Sequence, residues 1–234
     1  IKIMKRSQVN AIIKEALDFA GQMNFKLPPF AYWKWEDYLR KGKEEEYREF
    51  FDNMLGWDVT DFGHGNFEKC GLLMLCIRNG NFFKKEYPKK YAEKMLVAQE
   101  GQVTPYHYHS SKMEDIINRG GGNLIVKLYN ADEQDRFADT PVLVSMDGRN
   151  HFVPAGTEIR VRPGESITLH NRVYHSFWAE PSCGKVLLGE VSSVNDDTVD
   201  NHFYETTGRF PEIEEDEPIQ NPVLMDYWKL FVKD

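Results

Sequence analysis

Two kinds of hydrophobic patterning divide the chain. In the first part, Val9, Ile12, Ile13, Ala16, Leu17 and Ala20 recur at helical spacing, and Ser7 stands where an N-cap is expected. Pro28 and Pro29 end that segment, and Phe30 to Trp35 read as an aromatic connector. A second helix is predicted from about Glu36 to Leu55, burying Tyr38, Leu39, Tyr47, Phe50, Phe51 and Leu55. Its run Lys43-Glu44-Glu45-Glu46 reads as a solvated face.

After Asp58 the period shortens. Leu72–Ile77, Lys94–Gln99, Leu124–Tyr129, Val142–Met146, Glu158–Arg162, Ser166–Leu169 and Lys185–Ser192 are short β-prone runs. Asn79-Gly80, Gly120-Gly121-Gly122, Asp147-Gly148 and Pro163-Gly164 supply turn chemistry between them. Many short strands behind two helices predict an all-β, jelly-roll-like barrel with an N-terminal helical segment. The length fits one domain over residues 1–234, with a helical cap to about 57 and barrel plus tail from about 58. The tail from Pro211 to Pro218 is acidic and ends in the aromatic run Tyr227-Trp228-Lys229-Leu230-Phe231.

Composition narrows the function. A hydrophobic fraction of 41% with 15 Phe, 11 Tyr and 5 Trp is ample for a core. The net charge of −8 argues against nucleic acid as a partner, because phosphates need basic surface. No apolar run is long enough to cross a bilayer, and no signal peptide precedes the first helical pattern. Cys70, Cys76 and Cys183 lack metal-type spacing and read as reduced core thiols, which points to the cytoplasm.

The chemistry concentrates in Thr104-Pro105-Tyr106-His107-Tyr108-His109-Ser110-Ser111-Lys112-Met113-Glu114-Asp115. Residues two apart on a strand share a side, so His107 and His109 can face one barrel interior. Glu114 lies beyond a short loop and can return as a carboxylate ligand, and His175 arrives later, past a Pro-Gly turn and a strand. Three imidazoles and a carboxylate suit Mn²⁺, Fe²⁺, Ni²⁺, Co²⁺ or Zn²⁺. Four such ligands on an octahedral ion leave two adjacent positions for a substrate.

The same residues carry a resemblance. His107, His109 and Glu114, followed far downstream by Pro163-Gly164 and His175, look like the two boxes of the cupin superfamily. The match in the second box is looser, with Ser176-Phe177-Trp178 after the histidine. Over nearly the whole chain, Met4-Lys5-Arg6-Ser7, Leu27-Pro28-Pro29-Phe30-Ala31, Leu55-Gly56-Trp57-Asp58-Val59-Thr60, Arg119 to Leu124, Tyr174 to Trp178 and Gly189 to Asp197 are similar to the bacterial D-lyxose ketol-isomerases. The resemblance implies a cupin barrel, a metal held by His107, His109, Glu114 and His175, usually Mn²⁺, and a homodimer acting on D-lyxose and D-mannose. Apolar content in the N-terminal helices and aromatic tail also favours a two-fold pair.

Aldose–ketose isomerisation moves a proton between C1 and C2, so acid–base groups are needed beside the metal. Lys112 lies between two ligands and is a candidate proton donor to the developing oxyanion. A lysine in a Ser-Ser-Lys turn is more commonly a surface residue; the resemblance favours the catalytic role. Glu190, an acid in the apolar run Leu187 to Val191, suits a general base, or equally an ion-paired strand residue. Glu215 becomes a third candidate if the tail folds over the barrel mouth; the plainer reading is a solvated acidic run. Trp178 is placed to stack on a sugar, and Phe30 or Trp33 could add a wall, although such aromatics are more often core. His64, His151, His170 and His202 have no ligand-like partners in sequence. The triple glycine lacks the context of a phosphate loop and reads as a tight turn. Two other readings remain at this level: an Fe²⁺-dependent cupin dioxygenase and a non-catalytic sugar-binding cupin. No Arg/Lys cluster stands near the ligands, which argues for an unphosphorylated sugar.

Overall fold

The computed structural model describes residues 3–194, 196 and 199–231. A two-residue strand, β1 (Met4–Lys5), leads into helix α1 (Arg6–Gln22), whose buried side chains Val9, Ile13, Ala16 and Ala20 follow the 3.6-residue period. Ser7 is not the cap. It lies in the first turn, where its N–H and Oγ both donate to the Asp216 carboxylate, at 2.9 and 2.7 Å.

The long second helix is replaced by α2 (Trp35–Lys41), a 3₁₀ turn at Glu45–Tyr47 and α3 (Arg48–Asp52). Packing explains the break. In one straight helix Tyr38 and Phe50 would lie about 18 Å apart. Folded back at Gly42, their rings stand 5.9 Å apart in a cluster with Phe51 and Tyr227.

The strands that follow are β2 (Gly56–Thr60), β3 (Leu72–Arg78), β4 (Tyr91–Ala98), β5 (His107–His109), β6 (Glu114–Gly121) and β7 (Leu124–Ala131). Next come β8 (Phe137–Ala138), β9 (Val142–Met146), β10 (Arg149–Val153), β11 (Glu158–Val161), β12 (Ser166–Leu169) and β13 (Val173–Ala179). The chain closes with β14 (Val186–Ser193), β15 (Asn201–Phe203), β16 (Ile213–Glu214) and the short helix α4 (Tyr227–Phe231). All seven predicted runs are strands. β1, β2, β6, β8, β10, β13, β15 and β16 were not among the predicted runs; β6 opens on Glu114 and ends in glycine, and β10 is mostly polar.

Two antiparallel sheets result. The larger runs β10-β9-β12-β6-β14-β4-β3-β2 and the smaller runs β11-β7-β13-β5-β15, with β8 beside β7. The inner core joins both, with Met74, Leu96, Ile116 and Leu188 from one sheet and Val126 and Phe177 from the other. Strands β3 and β4 are covered on both faces. Leu73, Leu75, Met95 and Val97 pack against α1, while Met74 and Leu96 face the interior, which is why these strands read as nearly continuous apolar runs. The triple glycine is only in part a turn. Gly120 and Gly121 finish β6 at φ of 137° and 93°, values open chiefly to glycine, before the chain crosses to the smaller sheet.

The cysteines are all free, but only Cys76 is a core thiol; Cys70 is partly exposed and Cys183 exposed. No helix among the described residues is long and apolar enough to cross a membrane. The acidic tail is not a free solvated run. β16 pairs in parallel with β1, and Glu215 and Asp226 both bind the fully buried Arg6 guanidinium, at 2.8 and 2.7 Å. The Arg6 hydrogen bonds, opposed by burial and aided by Lys229, hold the Glu215 carboxyl down at about 2. Arg6→Ala would leave Asp226 charged, 1% exposed and without its main partner. A loss of roughly 3–5 kcal/mol is expected, since breaking a buried pair strands the other charge. Thermal melts should show this as a Tm lower by on the order of 10 °C; an unchanged Tm would show that the latch between the two ends does not matter.

Candidate active site

Strand alternation does the first part of the construction. On β5, His107 and His109 face the interior and Tyr108 faces out, where its hydroxyl donates to Asp135 at 2.7 Å. β13 pairs with β5 so that His175 lies directly opposite His107. Glu114 begins β6 in the other sheet and meets the imidazoles from across the barrel, its Oε1 3.5 Å from the Nε2 atoms of both His109 and His175. The Nε2 atoms of His107 and His175 are 3.1 Å apart.

Hydrogen bonds fix the tautomers of two rings. His107 Nδ1 donates to the Pro105 carbonyl at 2.9 Å and His175 Nδ1 to the Val173 carbonyl at 3.1 Å. A carbonyl only accepts, so Nδ1 carries the proton and each Nε2 presents a lone pair inward. Burial, reinforced for His107 by the neighbouring imidazoles, holds its pKa well below the ordinary value, and burial brings His175 down to about 4. Burial alone would push Glu114 up, but Lys112 and the imidazoles hold it well below the usual carboxylate range. Two lone pairs at 3.1 Å with no proton between them, facing a carboxylate, need a shared cation. The donor set therefore fits a divalent ion, with one nitrogen from each of the three imidazoles within 4.8 Å of the others.

Beside this cluster, Lys112 binds Glu114, and its Nζ lies 3.0 Å from Glu190 Oε1. Lys94, the cross-strand neighbour of Glu190, reaches the same oxygen at 3.2 Å. All four groups are at most 5% exposed. Two ammonium groups and two carboxylates balance, as buried charges must. The Lys112 turn is held by Asp200, whose carboxylate accepts from Ser111 N, Ser111 Oγ and Lys112 N at 2.8, 2.7 and 3.0 Å. The cavity, of about 40 Å³, is walled by Phe62, Phe177, Phe203, Thr104, Asn201 and Arg209. Arg209 pairs with buried Asp58 at 2.6 Å. Phe62 sits at φ 53°, a strained backbone for an aromatic residue.

The structure thus brings His107, His109, Glu114, His175, Lys112 and Glu190 together. It does not bring the other sequence candidates. Trp178 alternates to the opposite side of β13 from His175 and Phe177 and is not part of the cavity wall. Phe30 and Trp33 pack against Phe50, with ring centroids 5.0 and 5.2 Å away, in the N-terminal aromatic cluster. Glu215 belongs to the Arg6 latch. Sequence reasoning missed Lys94, Asp200, Arg209, Phe62 and Phe203. Lys94 left a trace: it is a charge directly before the apolar run Met95 to Ala98. The remaining histidines stand elsewhere; His170 bonds Ser145 and His202 stacks on Tyr108.

An antiparallel barrel that gathers three histidines and a glutamate into its interior defines a cupin. Solved structures agree on the fold. L-ribose isomerase of Geodermatophilus obscurus matches with a TM-score of 0.60 at 12% identity, over 92% of this chain and 100% of that one. The Cellulomonas parahominis L-ribose isomerase solved with L-ribose matches at 0.58 and 16%, over 91% and 99%. The D-lyxose isomerase family model matches residues 4–227, and the chain belongs to that family. Two relatives named D-lyxose/D-mannose isomerase, from Serratia proteamaculans and Escherichia coli O157:H7, are 49% and 48% identical over 96% of this chain and 98% of their own length.

The lowered imidazole pKa values have a consequence for the metal-free protein. Between about 6.5, the unfolded value, and about 4 for His175, the native state binds fewer protons than the unfolded chain. Stability therefore rises with pH across this window and is lost as pH falls through it, further still for His107. Melts of chelator-treated protein should show a falling Tm from pH 6.5 toward 4; a flat profile would mean the rings are charged when folded.

Proposed function

We propose that the chain is a metal-dependent aldose–ketose isomerase interconverting D-lyxose with D-xylulose and D-mannose with D-fructose. The carrying observation is the meeting, in one buried cavity, of a cation-seeking His107/His109/His175/Glu114 set with the Lys112–Glu190–Lys94 chain. The names of the near-half-identical relatives supply the sugars. Mn²⁺ is the ion we assign, although Co²⁺, Fe²⁺, Ni²⁺ or Zn²⁺ take the same ligands. Held by those four residues, the ion would supply Lewis-acid polarisation of the substrate's C1 and C2 oxygens.

The protein's own groups move the protons. Glu190 takes the proton from C2, leaving an enediolate, and Lys112 gives its proton to O1. Glu190 returns the carbon-bound proton to C1 while Lys112 recovers one from the O2 hydroxyl, so the ketose forms with both groups restored. Lys94 fixes the carboxylate of Glu190 during both transfers. Phe62 and Phe203 exclude water from the intermediate, in the place first given to Trp178, Phe30 and Trp33. D-lyxose and D-mannose agree at C2, C3 and C4, so discrimination between them rests on the distal CH2OH and is modest, about 10- to 200-fold. The barrel and its helical cap work as one cupin unit, in the cytoplasm, as a homodimer. Exposed Phe83, Trp228 and Phe231 support the pairing, and light scattering that returned the 27.3 kDa monomer would refute it.

Purified Mn²⁺-loaded protein should convert D-lyxose to D-xylulose faster than it turns over D-xylose, whose C2 is inverted. The opposite order would overturn the substrate assignment. In D2O, C1 of the product should acquire deuterium, and a product free of label would argue for a hydride shift. Lys112→Met and Glu190→Gln should keep the metal and lose at least about 10²-fold in kcat. His107→Ala should lose metal and activity together. Full activity in Glu190→Gln would remove Glu190 from the base role.

A further inference from the structure

Of the three interior imidazoles, His107 and His175 have their outer nitrogens pinned by backbone carbonyls. His109 does not. It is 4% exposed, and neither of its ring nitrogens has a hydrogen-bond partner. A buried ring nitrogen left unpaired calls for an explanation. The group facing it is Asp200, with Oδ2 3.9 Å from His109 Nδ1, beyond a hydrogen bond but within about 1 Å of forming one.

Asp200 is itself firmly placed. It immediately precedes Asn201, the residue opposite His109 in the β15–β5 ladder. Its carboxylate accepts the three donors of Ser111 and Lys112, and its carbonyl accepts Ser110 N at 3.2 Å. Oδ2 therefore stands between the Lys112 amide and the His109 ring, and the side chain is 4% exposed.

We infer that Asp200 is a positioning residue that serves both halves of the site, orienting His109 as a metal ligand and holding the Lys112 turn. This rests on the metal role proposed for His109. A carboxylate facing Nδ1 fixes the proton there, turns the Nε2 lone pair toward Glu114 and raises the basicity of the ligand. The same anion, by accepting the Ser111 and Lys112 amides, sets where the Lys112 ammonium can reach. Metal binding and proton delivery are thereby tied to one side chain outside the ligand set.

Two variants separate these tasks. Asp200→Asn keeps an oxygen for the amides of the turn but removes the charge facing His109. Ser111→Ala removes one turn contact and leaves His109 untouched. Competition with a fluorescent chelator should show Mn²⁺ affinity weakened by about 10- to 100-fold in Asp200→Asn, the usual cost of losing an outer partner of a ligand. Ser111→Ala should keep wild-type Mn²⁺ affinity and lower kcat for D-lyxose at saturating Mn²⁺ with KM unchanged. Wild-type affinity in Asp200→Asn, or equal weakening in both variants, would overturn the inference. Should Asp200→Asn fail to fold, nitrogen-15 NMR of histidine-labelled wild-type protein decides: His109 must carry its proton on Nδ1, and a proton on Nε2 overturns the proposal. Absence of isomerase activity in the wild type would remove the proposed function while leaving the Mn²⁺ affinities and the tautomer to decide this point.

Discussion

The inward lone pairs of His107 and His175 converge with the His109 ring and the Glu114 carboxylate inside the barrel, an arrangement suited to a shared cation. The 3.1 Å approach of the His107 and His175 nitrogens exists because β13 and β5 are paired in the register that sets those residues opposite each other. A slip of one residue in either strand would turn its own histidine to the outer face and bring Tyr108 or Tyr174 inward. Glu114 has to come from the other sheet, so this cluster is complete only when both sheets close over the common core of Ile116, Val126 and Phe177.

Neutrality governs the rest of the cavity. Lys94 and Lys112 answer Glu114 and Glu190, and removing any one strands a charge away from water. The quartet is therefore structural as well as carrying the chemistry we propose. Glu114 stays ionised although buried because the Lys112 ammonium and the imidazoles sit beside it, and the ammonium groups are aimed by the carboxylates they pair with. Phe62, Phe177 and Phe203 exclude water, which strengthens each of these pairings.

The outer layers keep that register in place. α1 covers the back of β3 and β4, letting both faces of those strands be apolar, and Arg6 ties the start of the helix to Asp226 and Glu215 near the end of the chain. The aromatic connector and the short helices fold into a cluster of rings around Tyr38 and Phe50, well away from the chemistry. Their task is cover, and this is why Phe30 and Trp33 pack on Phe50 and do not line the cavity they were first assigned to.

Local pattern was enough to determine the strand-rich class and the helical start, and to single out His107, His109, Glu114 and His175 as a candidate metal set. Period-two alternation and turn residues act between near neighbours, and the ligand types announce themselves by chemistry. Similarity to D-lyxose isomerases was also legible, because matches spread along the whole chain. Contacts between distant segments were not. Tyr38 and Phe50 read as one helix, yet only their meeting with Tyr227 decides where that helix must break. Glu215 and Glu190 are both glutamates with no local mark of purpose; burial beside Lys94 and Lys112 places one in the site, and Arg6 takes the other away. Trp178 follows His175 by an odd number of residues, so the pleat itself sends it to the other side of the sheet. Asp200 contacts the Lys112 turn only because β15 pairs with β5, a register set by the closed barrel and by nothing in its neighbouring sequence.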